Sequence, residues 1–324
     1  MAHQNLLYLS CADVASLDVS MKEIIDALDV AFREHGHGRV EMPPKPGIHT
    51  QPDAFIHAMP AHIPALHSAG MKWVSGYPDN HVRGLPYISG LLILNDEDTG
   101  IPVAVMDCTW ITAMRTAAAT AIAARYLARP DSKSVGILGC GVQGRSNLTA
   151  LNVLFTITHI VAYDTQPGQV DRFADEVQEQ LGLSVVRAQE PRDAVDGLDI
   201  IVTAGPILHT PHATIKAGWM KEGAFASLVD FDSYWDGAAM KEAAKFCTDD
   251  VPQFEYYRSQ GYFQDTPPIY ATVSELTAGI KRGRDTMTER TMTCNLGIAL
   301  EDMATAPLVY RRAVERGVGV RLPL

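Results

Sequence analysis

Three glycines and one acid carry the clearest chemistry in the chain. Gly139, Gly141 and Gly144 stand at G-x-G-x-x-G spacing directly after an apolar run, 134–138, and Asp164 follows twenty residues after the last glycine. In a strand–turn–helix–strand setting that spacing is a dinucleotide-binding signature. The first glycine permits a tight turn, the second leaves room for a pyrophosphate, and the third lets helix and strand pack closely. A helix opening near Gln143 aims its free N–H groups at the phosphates, so Gly139, Gly141, Val142, Gln143 and Gly144 are the expected contacts. Asp164 is placed to accept hydrogen bonds from a ribose 2′-OH. It would repel a 2′-phosphate, and Thr165 rather than an arginine follows it, so NAD is expected in preference to NADP. The competing reading is a decorated turn with no ligand.

Alternating strands and helices must present that loop. Beyond the strand at 134–138 and a helix ending near Leu154, the pattern predicts a strand at 160–164. A helix from Pro167 to about Leu181 with Gly182 as its stop, and strands at 183–186, 199–205, 224–229 and 245–248, follow. Such alternation argues for a doubly wound parallel sheet whose ligands gather at the carboxyl ends of its strands, where Thr203, Ala204, Val229 and Asp230 fall. Upstream, 6–9 reads as a strand. Ser20 and Glu23 form a capping box for a helix carrying Met21, Ile24, Ile25, Leu28 and Phe32. Strand-like pieces at 55–58, 69–74 and 87–94 follow, with 102–107 completing a hairpin across 95–100, and 112–127 is an alanine-rich helix ended by Pro130. Residues 249–270 read as a long irregular connection and 274–280 as helical. The basic turn 281–284 reads as a solvated face, and 298–314 as a final amphipathic helix that Pro307 would kink.

The chain has 324 residues, 47% hydrophobic and 20% charged, which suits two globular domains. A formal net charge of −11 argues against a nucleic-acid or anionic-membrane partner. Five cysteines without a C-x-x-C pair suit reduced thiols in a cytoplasmic protein, and neither a signal peptide nor an apolar run long enough to span a bilayer is evident. Histidines gather at His37, His49, His57, His62, His67 and His81, none paired at metal-ligand spacing on a helix, so no metal is expected.

Three further stretches carry a resemblance: Met71-Lys72-Trp73-Val74-Ser75-Gly76-Tyr77-Pro78-Asp79-Asn80, Gly84-Leu85-Pro86, and Ile111-Thr112-Ala113-Met114-Arg115-Thr116-Ala117-Ala118. Together they resemble the ornithine cyclodeaminase / mu-crystallin family over nearly the whole chain. Met42-Pro43-Pro44-Lys45 and Ala58-Met59-Pro60-Ala61-His62 are closer to its alanine-dehydrogenase branch than to the cyclodeaminases. The resemblance implies an α/β protein: a Rossmann domain with a doubly wound parallel sheet, 119–298, inserted into an α+β substrate-binding and dimerisation domain, 1–118 plus 299–324. Members are usually homodimers. It also implies roles. Lys72 matches a lysine at the substrate carboxylate and reacting centre, and Arg115 an arginine that grips the carboxylate, with Arg115 and Thr116 also beside the cofactor. Lys45 matches a further substrate-binding position, and Asp232 an aspartate near the substrate amine. A guanidinium suits a carboxylate because its planar fork meets both oxygens. From pattern alone, Lys72 would be an outward-facing strand residue, Arg115 a helix salt-bridge partner, and Asp230 would face the same way as Asp232.

Departures bear on the substrate. His57 stands where the cyclodeaminases have glutamate and the alanine-dehydrogenase branch arginine. Ser233-Tyr234-Trp235-Asp236 replaces a Gly-Pro-Gly-Lys-like stretch, and Thr293-Cys294-Asn295-Leu296-Gly297 replaces a Phe-Asp-Ser-Thr-Gly pattern. The activity implied is hydride transfer between nicotinamide and the α-carbon of a small amino or imino acid, or of a 2-oxo acid taken with an amine. Arg115, Lys72, Lys45 and His57 would lie at the substrate, and Asp232 would orient the nitrogen. The rival expectations are a cyclodeaminase using NAD catalytically and a mu-crystallin-like protein that binds a nicotinamide cofactor and a small ligand.

Overall fold

The computed structural model describes residues 5–324, which divide into two compact units. One runs to Arg115 and resumes at Gly297; the other is Thr116–Leu296.

The first unit is built on a seven-stranded sheet. Its order is Val320–Pro323, Asn5–Leu9, Pro102–Asp107, Ile88–Asn95, Ser68–Gly76, Phe55–Ile63 and Gly47–Ile48, antiparallel except where Asn5–Leu9 runs beside Pro102–Asp107. Strand alternation gives the sheet two faces. One cross-strand row, Met59, Lys72, Leu92, Met106 and Leu9, is wholly buried, which puts a lysine in the middle of an apolar face. The opposite face carries the row Met71, Ile93, Val105, Tyr8 and Val320, flanked by the pair Trp73 and Leu91. Helix Met21–Gly36 starts at the expected capping box, with Ser20 accepting from the Glu23 N–H. The C-terminal helix Ala299–Arg316 packs on strands Phe55–Ile63 and Ser68–Gly76, and Ser68 donates to the Met303 carbonyl at 2.6 Å. Pro307 lies inside this helix without ending it.

The second unit holds an eight-stranded, all-parallel sheet, as the alternation predicts. The order is Ala271–Thr272, Lys245–Thr248, Thr291–Cys294, Phe225–Leu228, Ile200–Thr203, Ser134–Leu138, His159–Tyr163 and Val185–Arg187. Three features differ from the sequence expectation. Thr291–Cys294 is a buried central strand that the pattern did not signal, because its alternating threonines resemble a polar loop. The stretch 249–270 is not wholly irregular: Asp250 caps helix Val251–Ser259 by accepting from Gln253 N–H at 2.7 Å. Arg284 is not part of a solvated face, since its guanidinium donates to the carbonyls of Leu127 and Glu289 and to the Thr291 hydroxyl.

Candidate active site

Each glycine of the loop does what its spacing predicts. Strand Ser134–Leu138 ends at Gly139, whose φ of 101° closes the turn, and a side chain there would strike the Ala204 carbonyl. Gly141 caps helix Val142–Leu154, and the place a Cβ would occupy is open. A Cβ at Gly144 would meet the Gly139 carbonyl oxygen, and Ile137 Cγ2 at 3.0 Å, so helix and strand touch there. The result is a bare cradle above Gly141 with the N–H groups of Val142 and Gln143 at its mouth, which fits a pyrophosphate. Asp164 follows the next strand. Its two oxygens each accept a backbone N–H at 2.9 Å, from Cys140 and from Gln166, which fixes the carboxylate while leaving further lone pairs for a hydroxyl. Thr165 beside it is exposed. Cys140 is fully buried, in keeping with a packing role.

At the neighbouring strand ends, Thr203 donates to Asp230 at 2.6 Å and Gly205 N–H donates to it at 2.8 Å, while Trp235 donates to Thr203 at 3.1 Å. Ala204 and Val229 bond back to Leu138 and Thr203, pinning both strand exits. Burial pushes the Asp230 carboxyl up to about 7. Asp232 does not share its direction, because strand Phe225–Leu228 has already ended and Phe231 between them has a left-handed φ of 62°. The Asp232 carboxyl is held by the Phe263 N–H and raised by burial. Its Oδ1 is buried and has no hydrogen-bond partner among the described residues.

The first unit gathers the cations. Lys72 is 0% exposed, overturning the outward reading, and donates to Asp302 at 2.7 Å and to Thr112 at 3.4 Å. Arg115, also buried, donates to Glu301, and its Nε lies 3.2 Å from Asp302. Lys45 donates to the Gly297 carbonyl at 3.0 Å. Gly297 has a φ of 71°, and a side chain there would strike the Arg115 guanidinium. His57 is buried, stacked on Phe55 with ring centroids 4.3 Å apart. Burial, then Lys45, His49 and Lys72, push its pKa down to about 3, so the ring is neutral. Thr116, the residue after Arg115, is the first of the second unit and is half-buried.

Sequence reasoning missed Glu301 and Asp302, which are fully buried at the start of the C-terminal helix. The available signal was two acids directly before Met303, on a turn whose apolar neighbours have to pack. It also missed the buried Asn295 Nδ2, a donor with no hydrogen-bond partner among the described residues. Among those residues no group of three or more His, Cys, Asp or Glu could hold a metal ion, and no helix is long and apolar enough to cross a membrane.

Residues 4–317 match the profile of the ornithine cyclodeaminase/mu-crystallin family. The alanine dehydrogenase of Archaeoglobus fulgidus is 35% identical over 326 residues, 98% of each chain. The structure of Thermococcus litoralis Δ1-pyrroline-2-carboxylate reductase in complex with NADH and L-proline is 34% identical. It superposes with a TM-score of 0.89 and covers 98% of this chain and 100% of its own. An archaeal alanine dehydrogenase dimer with bound NAD, also 34% identical, has a TM-score of 0.88 with 99% of both chains covered.

Proposed function

The chain belongs to the ornithine cyclodeaminase/mu-crystallin family, and from that premise we propose that it is an NAD(H)-dependent oxidoreductase. It moves hydride between nicotinamide and the α-carbon of a small amino or imino acid, in the manner of an alanine dehydrogenase or an imino-acid reductase. The observation that carries the substrate half of this reading is Lys72, a wholly buried ammonium in an otherwise apolar cross-strand row, grouped with Arg115 of helix Thr109–Leu127. Buried cations in such a place suit a carboxylate ligand, with Arg115 supplying the planar fork and Lys72 a point charge. Lys45 adds a third cation from the strand-edge segment.

The glycine cradle, Asp164 and the pinned strand ends at Thr203, Ala204, Val229 and Asp230 support NAD binding, and Asp164 favours NAD over NADP. When bound, the nicotinamide accepts or supplies the hydride at its C4. The chain's own groups do the rest. Arg115, Lys72 and Lys45 fix the carboxylate and with it the plane of the α-carbon, which supplies the orientation that hydride transfer needs. Asp232 Oδ1, a buried acceptor without a hydrogen-bond partner among the described residues, is suited to take an N–H of a substrate. Its raised pKa suits a group that receives a proton as amine becomes imine and returns it in reverse.

Neutral His57 favours this reading over a cyclodeaminase, which needs an anion to hold a distal ammonium. We also assign the outer face of the first unit's sheet to a second copy of the chain. Trp73 and Leu91, directly opposed on adjacent strands, are each 44% exposed, Tyr8 is 38% exposed, and a relative of the same length is described as a dimer.

A panel measurement of NADH oxidation tests the reading, with 2-oxo acids plus ammonia or methylamine beside cyclic imines of 2-carboxylates. Turnover on one class is expected. Ammonia release from ornithine or lysine without net change in NADH would support the cyclodeaminase instead. Tight NADH binding with no turnover on any arm would support a binding protein.

A further inference from the structure

The lysine at the centre of the sheet has a partner that serves no evident packing purpose. Lys72 Nζ lies 2.7 Å from Asp302 Oδ1, to which it donates, and 2.7 Å from Oδ2, with both side chains wholly buried. Asp302 Oδ1 also lies 3.2 Å from Arg115 Nε, and the preceding residue, Glu301, accepts from Arg115. Both acids stand in the first turn of helix Ala299–Arg316, where the helix dipole favours negative charge. We propose that Asp302 is a positioning residue of the reaction, holding the Lys72 ammonium charged and aimed, while Glu301 orients the Arg115 guanidinium. This rests on the reading of Lys72 and Arg115 as the groups that receive the substrate carboxylate.

Stability alone does not account for the arrangement. Replacing a buried ion pair by apolar groups of similar size is often neutral or stabilising. The neighbours of Lys72 along the inner row, Met59 and Leu92, would accept such a replacement. A lone ammonium on that face would instead lose its proton, since burial and the Arg115 charge both push Lys72 down and Asp302 opposes them. Of the other titratable groups facing Lys72, Cys108 acts in the same direction as Asp302 but more weakly. Cys108, at the start of helix Thr109–Leu127, is a neutral thiol pushed up to about 11 by burial, and His57 on the next strand is a neutral ring. Lys45, which acts on His57, is a further cation, and Glu301 is engaged with Arg115. Asp302 is therefore the anion that contacts the ammonium. Consecutive positions on one helical turn let the two acids address the two cations separately while moving as one rigid piece.

The test is the pH profile of kcat/KM on the panel compound with the highest turnover, using the full-length protein. Asp302→Asn keeps the shape and removes the charge, and should move the alkaline limb down by one pH unit or more. Glu301→Gln should leave that limb in place and raise KM about tenfold, because arginine does not titrate in the range. In a Lys72→Met background, adding Asp302→Asn should cost less than a further threefold in kcat/KM, and the double variant should melt higher than Asp302→Asn alone. A limb that stays put while the rate falls equally at every pH overturns the proposal, as do losses that multiply in the double variant. Should Asp302→Asn fail to fold, recovery of a folded, NADH-binding protein in Lys72→Met/Asp302→Asn supports the pairing, and continued failure overturns it. Absence of wild-type turnover across the panel would overturn the functional reading instead, and the melting comparison separates that failure from a failure of the pairing.

Discussion

Substituting Gly141 by alanine separates what the loop needs to fold from what it needs to bind. The position has an ordinary extended backbone, φ −79° and ψ −161°, and among the described residues an added Cβ would meet no atom within 4 Å beyond its own chain neighbours. Folding should therefore lose only the difference between glycine and alanine as a helix cap, about 0.5–1 kcal/mol. Binding has more to lose. The methyl occupies the space above the N–H groups of Val142 and Gln143, where the pyrophosphate is expected, and displacing one charge-assisted hydrogen bond costs ~1.5–3 kcal/mol. At 1.4 kcal/mol per decade, NADH should bind roughly 10- to 150-fold more weakly. Gly144→Ala is the converse, since its methyl lands on the Gly139 carbonyl and Ile137, and overpacking of that kind costs about 1–3 kcal/mol of stability. Fluorescence titration with NADH and thermal melts of both variants give the readout. A Gly141→Ala protein that binds NADH within threefold of wild type, at an unchanged melting temperature, would refute a dinucleotide seated over this glycine.

Three further outcomes follow from other parts of the molecule. Lys45→Met should raise KM for the acid substrate by about tenfold or more while changing kcat less, as loss of a uniform charge contact does; an equal fall in kcat would place Lys45 at the reacting centre. If the chain forms the proposed dimer, Trp73→Glu, which puts a charge on the outer sheet face beside Leu91, should give a monomer in light scattering with NADH affinity retained; a variant that stays dimeric would move the interface elsewhere. Asp230 titrates near 7 when folded against an ordinary value of 3.8, so the fold favours its protonated form. Its contribution is present below about pH 4 and is lost as pH rises through about 7. The wild type should therefore melt higher at pH 5 than at pH 8, and Asp230→Asn should flatten the difference; an unchanged slope would assign it to another group.

The sequence was most legible where backbone constraints speak through residue type. The three glycines, the acid after the second strand and the Ser20 capping box each had a local reason, and each is found in the predicted place. Thr291–Cys294 was illegible because a strand buried on both faces by its neighbours needs no alternation, and threonines satisfy themselves there by bonding to groups such as the Leu127 carbonyl. The directions of Asp230 and Asp232 were misread because extended backbone was taken to continue past Leu228, and a phenylalanine in left-handed backbone carries no sequence mark. Lys72 and Arg115 were found through resemblance, and pattern alone would have placed Lys72 on the surface. Their partners could not be found that way. Asp302 is 230 residues from Lys72, and an acid at a helix start is ordinarily read as a solvated complement to the dipole.

The buried charges of the first unit bear on the substrate. Lys45, Lys72 and Arg115 carry three formal positive charges, and Glu301 and Asp302 carry two negative ones. Lys72 lies against Asp302 and Arg115 against Glu301, and one substrate carboxylate would bring these five formal charges to balance. A second carboxylate on the substrate would find no further cation in this group, because His57 stays neutral between burial and its cationic neighbours. A distal ammonium would meet the opposite difficulty, since both acids are already committed. Desolvating an unpaired charge costs more than the remaining contacts can offset. This balance of charge supports the proposal of a monocarboxylate substrate whose side chain is uncharged. A simple amino or imino acid therefore suits these ion pairs better than a diamino or a dicarboxylic substrate does.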